Sequence, residues 1–184
     1  MDCRKFNFSN RQETPAVIVE TFAQFSKMLL NLASILDKAE KFAVDRKFDV
    51  ANMLNARLAP DQFNFIRQIQ ITSDTVKFGA TRLTGLDAPK FEDNEATLSD
   101  LRGRIQKTVD FLATIKPENF DGWTARKTLN PRREGKYLPG DEYLVQHVIP
   151  NFYFHVTTAY AILRHNGVEI GKMDYLGAIN YRDL

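Results

Sequence analysis

Seven apolar residues, Ile18, Phe22, Phe25, Leu29, Leu32, Leu36 and Ala39, recur at alternating spacings of four and three. A strand would need spacings of two, so this run can bury its side chains only as one face of a helix. From end to end the stripe covers about 32 Å. A stripe that long cannot cover itself and demands other helices packed against it. Three further stripes supply them. Ile66, Ile69, Ser73, Val76, Ala80 and Leu83 form the second, and Leu98, Leu101, Ile105, Leu112 and Ile115 the third. Leu144, Val148, Phe152, Val156, Ala159 and Leu163 form the fourth, with Tyr153, Phe154 and Tyr160 adding bulk on other faces. The sequence therefore predicts an all-α four-helix bundle in one domain over residues 14–184, preceded by a loose arm, residues 1–13.

Breakers and caps set the boundaries. Thr14-Pro15 starts the first helix, and a loop follows at residues 49–59. Pro60-Asp61 starts the second helix and Gly85 stops it. A linker holding Pro89 leads to Thr97 and Asp100, spaced as a capping box, with Asn94 an equally good cap. Pro117 ends the third helix. Alternation over residues 123–129, a turn at Asn130-Pro131 and Tyr137-Leu138 predict a short β-hairpin between the third and fourth helices. Asp141 can cap the fourth helix, which Gly167 ends. Pro150 lies inside it and should kink it, because its ring removes a hydrogen bond and meets the Gln146 carbonyl. The tail, residues 168–184, should pack back on the bundle.

Composition removes several classes. With 43% hydrophobic and 11% aromatic residues the chain is not disordered. Its single cysteine, Cys3, excludes a disulfide scaffold and suits a reducing, cytoplasmic setting. No apolar run approaches the roughly 18 residues of a membrane span. The first 13 residues lack the apolar core of a secretory signal, so the Asn7-Phe8-Ser9 sequon carries no weight. A net charge of +2 argues against nucleic acid as a partner. The one basic cluster, Arg126, Lys127, Arg132, Arg133 and Lys136, reads best as a solvated hairpin tip.

Few residues carry chemistry. There is no phosphate-binding glycine loop, no paired-cysteine motif and no Glu-x-x-His of the kind that di-iron bundles use. His147, Asn151 and His155 stand at i, i+4 and i+8 on the fourth helix, roughly on one face. The two histidines lie about 12 Å apart along an ideal helix, while zinc holds its nitrogens at about 2.0–2.1 Å, so they do not share one ion. On the second helix Arg67, Gln70, Asp74 and Lys77 form a polar stripe with Gln68 beside it. Read blandly, this is a solvated face. Read functionally, Gln70 and Asp74 turn inward with Ser73 toward His155.

Three stretches resemble a known family: residues 54–63, Leu-Asn-Ala-Arg-Leu-Ala-Pro-Asp-Gln-Phe; Arg67-Gln-Ile-Gln70; and residues 150–167, from Pro-Asn-Phe-Tyr-Phe-His to His-Asn-Gly. Together with Gly171-Lys-Met-Asp-Tyr-Leu-Gly177 they are similar to the family called domain of unknown function 1993. That family lies within the DinB/YfiT-like metalloenzyme superfamily, and the likeness runs from about Thr14 to Gly177. The resemblance implies a four-helix bundle that often forms homodimers. It also implies a divalent metal on three histidines, one from the second helix and two from an H-x-x-x-H on the fourth. Here Asn151 and His155 match the fourth-helix pair, and the second-helix position falls at Gln68 or Gln70. Two of three ligands are thus replaced by amides, which are weak donors to zinc or nickel.

The expectation is a metal-free, cofactor-free protein that binds an unknown small molecule or serves in stress, with no membrane contact and a second copy as partner. Its ligand pocket would lie between the second and fourth helices, lined by Gln70, Asp74, His147, Asn151, His155 and Tyr160. The alternative is an enzyme of unknown reaction with His155 as general acid or base, oriented by Asp74 or an amide, or as part of a weak divalent-metal site.

Overall fold

The computed structural model describes residues 15–129 and 134–183. The Thr14 cap, the N-terminal arm with Cys3 and the Asn130-Pro131 turn with Arg132 and Arg133 lie outside the described residues.

Helix α1, Pro15–Arg46, buries all seven residues of its stripe and adds Met28, Ile35 and Ala43. One turn of helix, α2 (Ala51–Leu54), interrupts the expected loop and buries Met53 and Leu54. The second long helix, α3 (Phe65–Thr84), begins four residues later than Asp61. The cap is Asn64, whose side-chain oxygen accepts from the Arg67 amide at 3.1 Å. Phe65 is anchored by a backbone bond to Ala56 at 3.0 Å, so residues 60–63 are spent on a turn before the helix opens. It ends as expected at Gly85, whose φ of +80° suits a residue without a Cβ.

Helix α4, Leu98–Ala113, starts with both bonds of the Thr97/Asp100 capping box. It stops before Pro117, which instead opens a 3-10 turn, Pro117–Phe120. That turn puts the Phe120 ring on Phe22, 5.4 Å away and nearly parallel. Phe22 meets Phe25 edge-on at 5.4 Å, and Phe25 meets Phe152 at 4.6 Å. Each such pair adds about 0.5–1.5 kcal/mol to simple burial, so this aromatic row ties the first helix to the last.

The hairpin is shorter than the alternation suggests. Strands β1 (Thr128–Leu129) and β2 (Tyr137–Leu138) pair antiparallel, with Thr128 opposite Leu138. Residues Trp123–Ala125 form a 3-10 turn instead of strand, with Trp123 buried. The chain then enters one continuous helical run made of α5 (Gly140–Tyr143), a π turn (Leu144–Val148) and α6 (Ile149–His165). The run starts one residue before Asp141, which accepts from the Glu142 amide inside the first turn and does not cap. Gly140 stands there because a Cβ would overlap the Trp123 carbonyl oxygen.

Pro150 leaves its mark as the π turn. The Ile149 amide donates five residues back, to Leu144, and the widened turn relieves the carbonyls that the proline cannot serve. Beyond Gly167 the chain folds back as expected. Helix α7, Lys172–Leu176, packs on α1, with Asn31 Nδ2 donating to the Tyr175 carbonyl at 3.0 Å and Lys38 paired to Asp174 at 2.6 Å. The most extensive interface in the molecule joins α3 to α6; α1–α4 and α3–α4 come next. The molecule is thus mostly helical, and no helix among the described residues is long and apolar enough to cross a membrane.

Candidate functional site

Polar residues enter the α3–α6 interface in two matched pairs. His155 Nδ1 lies 2.7 Å from Gln68 Oε1. Which atom donates follows from the next bond out. Gln68 Nε2 donates to the Phe63 carbonyl at 2.9 Å, and a carbonyl can only accept. The amide is therefore fixed with its oxygen toward the imidazole, so Nδ1 carries the proton and Nε2 carries the lone pair. Burial, reinforced by the Arg67 charge, pushes the His155 pKa down to about 4. At neutral pH the ring is uncharged.

The second pair repeats the logic one turn earlier on α6 and two turns later on α3. Thr75 Oγ1 donates to the Ile71 carbonyl at 2.7 Å, so it can only accept from Asn151 Nδ2, 2.6 Å away. Asn151 Oδ1 accepts no hydrogen bond among the described residues. His155 and Asn151 lie four apart on α6, hence on one face. Among the described residues the seam thus keeps two lone pairs without a hydrogen bond, one on an imidazole nitrogen and one on an amide oxygen, from residues one turn apart on α6.

The other expected pocket residues lie elsewhere. Gln70 and Asp74 do not turn to His155. They face α4, where Arg104 reaches Asp74 at 2.9 Å, Glu95 at 2.9 Å and Asp93 at 3.0 Å. Gln70 Nε2 donates to Glu95 at 2.8 Å and its oxygen accepts from Arg67 at 2.9 Å. The reason is charge. Arg104 is 2% exposed, and a buried guanidinium draws in every carboxylate within reach. Lys77 joins the same cluster, 2.9 Å from Asp74, with its ammonium between the Phe78 and Phe91 rings. Ser73 is fully buried, and its hydroxyl makes no hydrogen bond among the described residues.

Tyr160 also leaves the site, donating to the Ile170 carbonyl at 3.3 Å and meeting Tyr175 edge-on. His147 is exposed and stacks on Tyr143 with ring centroids 5.3 Å apart. The π turn explains its departure. One residue more in a turn swings what precedes it by about 100°, so the i, i+4, i+8 row breaks between His147 and Asn151.

Sequence reading missed Thr75 and Arg104. Arg104 had a signal: it falls on the inward face, three after Leu101 and one before Ile105, and a cation there calls for acids. Thr75 had none beyond its place in the hydroxyl-rich run Thr72, Ser73, Thr75.

The donor set does not fit the metal that the resemblance implies. Gln68 Oε1 is committed to the imidazole N–H, which leaves one nitrogen and one amide oxygen where a catalytic zinc takes three protein ligands. No cluster of three or more His, Cys, Asp or Glu side chains suited to a metal occurs among the described residues.

The molecule is mostly helical, with its most extensive interface between α3 and α6, and it resembles a solved DinB family member. The crystal structure of a DinB family member from Shewanella denitrificans is 50% identical, covering 92% of this chain and 97% of that one with a TM-score of 0.90. The chain belongs to the family described as Domain of unknown function (DUF1993), which matches residues 19–176. No curated protein matches it.

Proposed function

We propose that this chain is a metal-free member of its family that binds a small molecule at the α3–α6 seam of a four-helix bundle, through the paired acceptors of His155 and Asn151. The observation that carries this reading is the double locking of the amides: Phe63 turns Gln68, Thr75 turns Asn151, and both leave lone pairs on offer. Acceptors select donors, so the ligand presents N–H or O–H groups, as a small amine, amide or polyol does. The enzyme reading is weaker. A general base works best with a pKa near the operating pH, and an imidazole near 4 accepts hydrogen bonds but holds protons poorly.

The test is a thermal-shift screen of untagged protein against small amines, amides, polyols and carboxylates, with zinc and nickel chloride as a separate arm. Donor-rich compounds should raise the melting temperature of the wild type and not of Asn151→Leu or His155→Leu. A hit that survives Asn151→Leu, or a stoichiometric metal lost in His155→Ala, overturns the proposal. The resemblance also brings a second copy as partner, and light scattering that finds only monomer at high concentration removes it.

A further inference from the structure

A second group of unused polar atoms lies on the other side of the π turn. Arg82, near the end of α3, donates from Nη1 to the Tyr143 hydroxyl at 2.7 Å. Its guanidinium carbon lies 5.6 Å from the Phe78 ring centre and 5.7 Å from that of Tyr143, so two aromatic rings hold it in place. His147 stacks on the same Tyr143 ring, tilted by 20°. One buried phenol thus carries a guanidinium at its hydroxyl and an imidazole against its ring.

The charges around this group are unbalanced. Arg67, Arg102 and Arg104 each hold a carboxylate. Arg82 makes no ion pair among the described residues, and its hydrogen bond goes to a neutral phenol. The two carboxylates nearest in sequence do not pair with it: Asp141 accepts from the Glu142 amide and Glu142 accepts from Gln146 Nε2. The charge that acts on His147 is that of Arg82. Partial withdrawal from water against Tyr143, then the Arg82 charge, lower its pKa. The Tyr143 oxygen already accepts from Arg82, which leaves its own proton to give.

We propose that Arg82, Tyr143 and His147 form an oxyanion site that takes a single carboxylate or phosphate group. A guanidinium, a phenol proton and an imidazole N–H are three donors, and an oxyanion is the ligand that accepts from all of them. The π turn builds the site: it takes His147 out of the α6 row and lays it on Tyr143. This site is separate from the α3–α6 seam and is built of other residues.

The three histidines give a test with internal controls. Imidazole NMR signals of the full chain are followed at pH 7 as inorganic phosphate, and separately acetate, replaces sodium chloride at constant ionic strength. The His147 signals should shift saturably toward the imidazolium position, while exposed His165 and buried His155 stay put. Saturation by phosphate, acetate or both supports the site and names the group it prefers. No saturable shift with either, or an equal shift at His165, overturns it. Arg82→Gln should abolish the saturation. Because Arg82 also packs between rings, His147→Ala at its exposed position is the second variant. It removes the donor and should weaken calorimetric binding of the saturating anion about tenfold, the loss of one charge-assisted bond. Unchanged affinity in His147→Ala overturns the proposal.

Discussion

Helix α3 carries two polar seams built from different chemistry. Toward α4 and the linker before it, the seam is ionic: Arg67, Lys77 and Arg104 face Asp74, Asp93 and Glu95. Toward α6 the seam is neutral: Gln68, Thr75, Asn151 and an uncharged His155. The ionic seam pairs each of its cations with a carboxylate and leaves only Arg104 Nε without a partner among the described residues, because a buried charge left unpaired costs several kcal/mol. The neutral seam's remaining lone pairs face no such penalty. A seam that satisfies itself holds the fold; a seam that keeps acceptors can hold a guest.

The sharpest way to break this contrast is to remove Arg104. Its guanidinium holds carboxylates from α3 and from the linker, so Arg104→Met strands Glu95 without a cation and leaves Asp74 only Lys77. Breaking a buried pair from one side costs about 3–5 kcal/mol. For a domain of this size that lowers the melting temperature by roughly 6–20 °C. A loss under about 1 kcal/mol by urea unfolding would show that the cluster is solvated and that the two seams do not differ as described.

The neutral seam responds less to mutation and more to acid. Gln68→Leu leaves the His155 N–H buried without an acceptor, at a cost of about 1–3 kcal/mol. The pH dependence has a definite sign. The folded pKa of His155, about 4, lies below its ordinary value of 6.5, so the unfolded chain binds the proton more tightly. The stabilisation is complete above pH 6.5 and is lost as pH falls toward 4. Urea midpoints measured at pH 7, 5.5 and 4.5 should fall steeply for wild type and less so for His155→Gln. Equal slopes would mean that the imidazole is not held neutral by the seam.

The two seams were not equally legible in the sequence. The apolar stripes locate the long helices, because periodicity survives whatever packs against it: α1 buries every stripe residue named. His155 and Asn151 were legible as neighbours, since four residues on an unbroken helix fix a common face. His147 was not, because the π turn is a response to Pro150 that shifts register without changing composition. Gln70 and Asp74 were misdirected by the same limit. Their helical spacing says that they share a side of α3, and only the inward Arg104 of another helix decides which partner that side meets. The late start of α3 has a similar cause, for Asn64 becomes the cap through Phe65 and its bond to Ala56, a contact outside any local pattern.

The smallest effect tests where the ionic seam ends. Asp93 reaches both Arg67 and Arg104, yet its side chain is 44% exposed against 8% for Glu95. Burial alone would raise its pKa; the hydrogen bonds and charges of Arg67 and Arg104 outweigh this and hold it below the ordinary 3.8. Its contribution is therefore present above pH 3.8 and is lost as pH falls through the lowered folded value, an acid window distinct from that of His155. Water competes for an exposed carboxylate, so Asp93→Asn should cost only about 0.2–1 kcal/mol, and less still in 1 M sodium chloride. Glu95→Gln, inside the seam, should cost more and keep its cost in salt. If the two variants lose stability equally at both salt concentrations, the linker is gripped along its whole length and the ionic seam extends to the surface.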